Sequence, residues 1–167
     1  MSLVMSRKSV RKYKDIEIPE SKIEALLKAG MQAPSANNQQ PWNFIVVNDR
    51  VLLDELSKMS NGSWPLGTSP VAIVPVMLET IKSPKMRTQD MSAATQNILL
   101  EAVDQGLGGV WIGVHPIDDR VKFVSKVLQT PKDVTPFCII ALGVPETKAD
   151  IIERYDPSKV HHNGWGK

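Results

Sequence analysis

Three separated stretches hold the residues that could do chemistry. In Arg7-Lys8-Ser9-Val10-Arg11-Lys12-Tyr13 two guanidinium groups flank a hydroxyl, a set able to offer forked cationic donors and a neutral one to a small anion such as phosphate. The same run also fits a solvated cationic face, and it makes a poor nucleic-acid patch because it is short and has only Tyr13 for stacking. In Ala33-Pro34-Ser35-Ala36-Asn37-Asn38-Gln39-Gln40-Pro41-Trp42 small residues, amides and prolines separate a helical pattern from a strand-like run. That composition predicts an ordered loop presenting polar atoms at a sheet edge. Turn chemistry accounts for these residue types as well as ligand binding does. Their company weighs toward binding: the basic run upstream, the glycine-rich Gly106-Leu107-Gly108-Gly109-Val110-Trp111-Ile112-Gly113 downstream, and a tail carrying Arg154.

Several familiar constellations are absent from the sequence. It has no Walker phosphate loop, no Gly-x-Ser-x-Gly elbow and no His-Glu-x-x-His pair. The glycines at 106, 108, 109 and 113 follow a helical pattern and precede a strand, the reverse of the order that aims a helix N-terminus at a pyrophosphate. His161 and His162 are adjacent and His115 precedes a proline, so no zinc spacing exists and no metal is expected. Cys138 lies inside an apolar run and reads as a small core residue.

The elements that must position these groups follow from periodicity. A short lead over residues 2–6 gives way to the basic run, and Ile23, Leu26, Leu27 and Met31 predict a helix over 19–32 with one apolar face. Residues 43–47 read as a strand buried on both faces, and Asp49 as the cap of a helix with Leu52, Leu53, Leu56 and Met59 on its buried stripe. Residues 60–70 read as a loop, a candidate lid carrying Trp64 and Leu66. Residues 71–78 are strand-like apart from Pro75, whose missing N–H argues for a bulge or an unpaired edge. Asp90 opens the best helical pattern, with Ala94, Ile98, Leu99, Ala102 and Val103 apolar along it, and Gly106 ends it. A strand over 109–114, a turn at His115-Pro116, a helix marked by Val121, Val124, Val127 and Leu128, and a strand over 137–142 complete the core. Beyond Thr147 an extended tail is expected. The sum is an α+β domain over residues 1–167, with about four strands and four or five helices packed on a central mixed or antiparallel sheet.

Composition sets the outer bounds. The 167 residues are 42% hydrophobic and 23% charged, an ordinary globular balance, and a net charge of +2 does not announce a nucleic-acid partner. One cysteine fits a reducing compartment, and no apolar run approaches the ~20 residues of a membrane span, so a cytoplasmic protein with no membrane partner is expected.

Taken together, the stretches cease to be anonymous. The run 7–13, the loop from Ala33 through Trp42 with the following Asn43-Phe44-Ile45-Val46-Val47, the segment 90–102 leading into 106–113, and the close at 140–145 with Arg154-Tyr155-Asp156 and Lys159-Val160-His161 resemble, in order, the short-chain members of the nitroreductase family of flavin enzymes. The resemblance implies an FMN-binding homodimer with sites at the subunit interface, helices on both faces of the sheet, and a C-terminal tail extending onto the partner. By position Arg7 and Ser9, beside Lys8, match the family's phosphate ligands, joined by Arg154, and Arg11 matches the cation at the flavin's pyrimidine edge, where it would favour the reduced ring. Pro34, Ser35 and Asn38 match residues laid against the flavin by the partner. Trp111-Ile112-Gly113 matches the backbone passing the central ring, and small residues at Ser35 and Ala36 and the glycines of 108–113 would let backbone approach a flat ligand. The implied activity is ping-pong transfer of hydride from NADH or NADPH to a nitroaromatic, quinone or activated alkene, with no catalytic dyad required. Reductive dehalogenation, flavin modification and non-catalytic FMN-binding regulation are the alternatives. The segment 60–87 is too short for the helical insertion of larger members, which implies an open site.

Overall fold

A computed structural model of the chain describes residues 3–79, 82–147 and 151–166. Its centre is a five-stranded sheet of β1 (Trp42–Val47), β2 (Val71–Leu78), β3 (Gly108–Gly113), β4 (Val134–Pro136) and β5 (Cys138–Gly143). The order is β1-β2-β5-β3, with β4 beside β5 on β2, and every strand pairing is antiparallel. Period-two alternation divides the side chains of the inner strands between two cores. Ile73, Met77, Ile140 and Leu142 face α2 (Glu20–Met31) and α4 (Arg87–Asp104), meeting Ile23, Leu26, Met91, Ala94 and Ile98. Ala72, Val74, Val110, Ile112 and Ile139 face α3 (Arg50–Leu56) and α5 (Asp118–Leu128), meeting Leu53, Leu56 and Val124. Helices therefore cover both faces, as expected.

Pro75 occupies a central strand, and the expected bulge is present on its neighbour. Ile73 faces Ile140 while Val76 faces Pro136, so the partner segment carries one residue more than β2 across the gap. Phe137 sits in that gap and donates its N–H to Pro75 O at 2.9 Å. The break between β4 and β5 is thus where the donor that Pro75 lacks is not needed.

Local chemistry explains the helices. Pro19 is the N-cap of α2 rather than its first residue, and Asp49 caps α3 by accepting from Leu52 N at 3.0 Å. Gly30 lets α2 and α4 approach closely, since a Cβ there would lie 2.9 Å from the Ile98 side chain. Gly106, at φ 73°, takes the left-handed conformation that follows α4. A short α1 (Leu3–Ser6) precedes the basic run.

Five expectations need correction. Strand β1 is an edge strand with Asn43 and Val46 exposed, not one buried on both faces. Met31 is 53% exposed and Leu52 also faces outward, each lying beside the true stripe rather than on it. Helix α4 starts before Asp90, at Arg87. Residues Asn61–Gly67 form 3-10 turns in which Leu66 is fully buried, anchored by Arg50 donating to Leu66 O and Ser69 O; Leu66 is core and no lid residue. The short β4 has too few residues to show periodicity. The tail is without helix or strand over 151–156, turns at Pro157–Lys159 and bends back over 162–166, where Gly166 N donates to His161 Nδ1, while its start at 148–150 lies outside the described residues.

Candidate functional site

The basic run is strapped along the edge of the sheet. Val10 N donates to Gly109 O at 3.0 Å, Ser9 forms a parallel bridge with Gly109, and Lys14 N donates to Val144 O at 2.9 Å. Tyr13, which the sequence offers only as a stacking ring, is instead the anchor. Its ring is buried, and its hydroxyl lies 2.6 Å from Val10 O and 3.0 Å from Ala141 O. Burial pushes the phenol well above its usual range, partly opposed by the charge of Arg11.

The strap and the core beneath it account for three glycines. A Cβ on Gly143 would lie 2.8 Å from the Tyr13 ring, one on Gly108 2.5 Å from Val10, and one on Gly109 2.9 Å from Leu142. These positions are small for internal packing, which corrects the expectation that the whole 108–113 run serves a flat ligand. Gly113 alone fits it, because a Cβ there meets nothing nearer than Arg120 Nη1 at 3.9 Å.

Arg7 and Arg154, far apart in sequence, line one cleft of about 460 Å³ with Val4, Gln96 and Tyr155. A smaller adjoining pocket adds Lys8 to the same two arginines. Glu153 lines the same cleft, its carboxylate accepting from the backbone N–H groups of Arg154 and Tyr155, and among the described residues neither arginine side chain takes part in an ion pair. Ser9 and Arg11 are exposed on the strap.

Trp111, Ile112 and Gly113 lie on edge strand β3. Ile112 is buried, so it can offer only backbone, whereas Trp111 is 36% exposed with its ring edge-on to Phe137 at 5.5 Å. Gly109 O turns outward to Val10, and strand alternation turns the backbone groups of Trp111 and Gly113 the same way. Gly113 O accepts from Arg120 Nη1 at 2.9 Å.

The loop bearing Pro34, Ser35, Ala36 and Asn38 does not line the arginine cleft of its own chain. Asn37, Asn38 and Gln40 take φ of 53°, 49° and 47°, each a left-handed conformation costing on the order of 1 kcal/mol outside glycine. A polar clamp holds it. Asp90, 5% exposed in the first turn of α4, accepts from Ala36 N at 2.9 Å and from Gln39 Nε2, while Gln39 Oε1 accepts from Ser83 N at 2.7 Å. Ser35 Oγ accepts from Gln40 N at 3.0 Å. Pro34 and Asn38 are left exposed. Sequence reasoning missed Asp90, Gln39 and Ser83 as site residues. The available signal was a carboxylate four residues before Ala94 and eight before Ile98, on the stripe that should be apolar.

The remaining reactive groups are structural. Cys138 is fully buried against Thr95 Oγ1 at 3.6 Å, and burial pushes its thiol up to about 12. Among the described residues no cluster of ligating side chains could hold a metal ion.

These features define an α+β chain in which Arg7 and Arg154 line one cleft and β3 forms an edge of the sheet. The nitroreductase family model matches residues 4–88 and 66–144. A relative from Archaeoglobus fulgidus, provisionally named NADH dehydrogenase/NAD(P)H nitroreductase, is 39% identical over 175 residues, covering 99% of this chain and 98% of its own. The crystal structure of a chain from Clostridium acetobutylicum, provisionally an NADH oxidase, is 43% identical with a TM-score of 0.96, covering 98% of this chain and 100% of its own. An FMN-dependent nitroreductase from Clostridium difficile is 31% identical with a TM-score of 0.92, covering 98% and 99%. The chain belongs to the nitroreductase family.

Proposed function

We propose that two copies of this chain hold FMN between them and use it to pass reducing equivalents from NAD(P)H to an electron-poor acceptor. The protein is an FMN-dependent NAD(P)H oxidoreductase. The observation that carries the reading is the cleft that Arg7 and Arg154 line together, neither ion-paired among the described residues although Glu153 shares the lining, which fits a phosphate monoester. The open space at Gly113 and the outward backbone of Trp111 fit a flat ring laid along β3. When bound, FMN supplies the hydride chemistry.

The chain's own part is binding and orientation. Arg7, Lys8, Ser9 and Arg154 neutralise the phosphate, and Arg11 faces the pyrimidine edge. The β3 backbone at Trp111, Ile112 and Gly113 sets the ring's depth. Pro34, Ser35, Ala36 and Asn38 close the site from the other copy, which accounts for the exposure of Pro34 and Asn38 and for the absence of all four from the cleft of their own chain. The tail, with Ile152, Tyr155 and Trp165 exposed, packs on that copy. Donor and acceptor take turns at one face, so the kinetics are ping-pong and the acceptor is a nitroaromatic, quinone or activated alkene. A lone buried cysteine fits a reducing, cytoplasmic setting, and among the described residues no helix is long and apolar enough to cross a membrane.

Purified protein should be yellow and dimeric, and NAD(P)H should bleach it anaerobically. Arg7→Ala should weaken FMN binding by about 1.5–3 kcal/mol, the range for hydrogen bonds to charged groups, while leaving the chain folded. Undiminished FMN retention in that variant would refute the phosphate assignment, and a colourless monomer would refute the whole reading.

A further inference from the structure

We propose that Asp90, acting with Gln39, is the positioning residue that fixes the 34–40 loop in the shape in which it meets FMN bound to the partner subunit. This rests on the functional reading above and extends it to a residue that touches no ligand. Three left-handed residues within four positions do not hold themselves in place; surrounding bonds must over-determine them. Those bonds converge on one buried carboxylate and one amide.

The network has a single workable direction. Ser83 N–H and Ala36 N–H can only donate. Gln39 must therefore turn its oxygen to Ser83, 2.7 Å away, which points its NH2 at Asp90 Oδ2. Asp90 then has a donor at each oxygen, Ala36 N on Oδ1 and Gln39 Nε2 on Oδ2, and only a carboxylate accepts at both. Asn37 Nδ2, donating to Ser83 Oγ at 2.8 Å, ties a second point of the loop to the same segment. The loop's shape is thus dictated from the base of α4, while its outer face stays open to the other subunit.

The logic predicts a reversal. Asp90→Asn sets an NH2 against a donor, and Gln39→Glu sets a second carboxylate against Asp90. The double variant D90N/Q39E restores complementarity at Ser83 N and between positions 39 and 90, because the carboxylate introduced on the loop accepts from both Ser83 N and the new amide, and it forgoes only the longer bond that Gln39 Nε2 donates to Ser83 O at 3.2 Å. Two readouts on the full-length protein test this: the rate of FMN release, followed by recovery of free-flavin fluorescence, and hydrogen exchange at the 35–40 amides.

Each single variant should release FMN roughly tenfold faster and lose protection at Ala36, and the double variant should return to within about threefold of the parent. Protection lost without faster FMN release would overturn the positioning role, as would a double variant no better than the singles. Parent protein that retains no FMN would sink the functional reading instead. That failure is recognised before any variant is made, and the exchange pattern still reports the clamp by itself.

Discussion

Replacing Tyr13 by phenylalanine tests whether one buried hydroxyl holds the arginine-bearing strap on the sheet. The O–H lies between Val10 O at 2.6 Å and Ala141 O at 3.0 Å, and the ring fills the space that a side chain at Gly143 would need. Phenylalanine keeps that packing and removes only the polar contacts. A buried acceptor left without its donor costs about 1–3 kcal/mol, and the hydroxyl serves carbonyls on both the strap and β5. For a chain of this length such a loss lowers the unfolding midpoint by roughly 2–4 °C per kcal/mol. Thermal and urea unfolding should be compared at matched protein concentration, because the proposed subunit association would add to apparent stability. FMN retention should fall in parallel, since Arg7 sits on the strap that the hydroxyl secures. A loss below about 0.5 kcal/mol, with FMN retention unchanged, would refute the reasoning. It would mean that the backbone bonds to Gly109 and Val144 suffice alone.

Two further perturbations separate packing from ligand contact and set a pH dependence. Gly108→Ala should destabilise the fold by about 1–3 kcal/mol through overlap with Val10, whereas Gly113→Ala should leave the unfolding midpoint nearly unchanged yet weaken FMN binding. Equal midpoints for the two variants in chemical denaturation would contradict this division. Burial, with a smaller effect of Arg87 and against Asp118, lowers the pKa of His115 below 6.5. The unfolded chain therefore takes up that proton first, so the stabilisation is complete above pH 6.5 and is lost as pH falls through the folded-state value. His115→Gln should flatten that part of the stability profile, and an unaltered acid slope in pH-dependent unfolding would count against the shift.

The fold was legible wherever side-chain period and length agreed. The α2, α4 and α5 patterns, and the apolar runs of β2, β3 and β5, stand where alternation and spacing put them. Period alone does not say which strand ends at a sheet edge, so the apolar run of β1 reads as doubly buried although it lies at the edge. It also tolerates a neighbouring apolar position, so Met31 and Leu52 read as members of buried faces that they do not occupy. The Asn61–Gly67 turns read as loop because serine, glycine and proline dominate locally. The burial of Leu66 comes from tertiary bonds made by Arg50, and no local pattern carries those.

The candidate site was legible in its charges and not in its supports, and electrostatics explains why. Bringing Arg7 and Arg154 to one cleft sets like charges together, and Glu153 on the same lining forms no ion pair with either among the described residues. Further stabilisation comes from outside it, through neutral contacts. Tyr13 on β5, Val10 against Gly108 and the backbone bonds to Gly109 provide it on one side of the site. The strained loop obeys the same rule, because its left-handed residues are held from the base of α4 by Asp90 and Gln39 while Pro34 and Asn38 stay exposed. Residues that meet a ligand advertise themselves by charge and amide content. Those that hold them in position are a tyrosine, three glycines and one misplaced carboxylate, each of which has an ordinary structural use in any chain. Their role becomes visible only when the distances between segments are known.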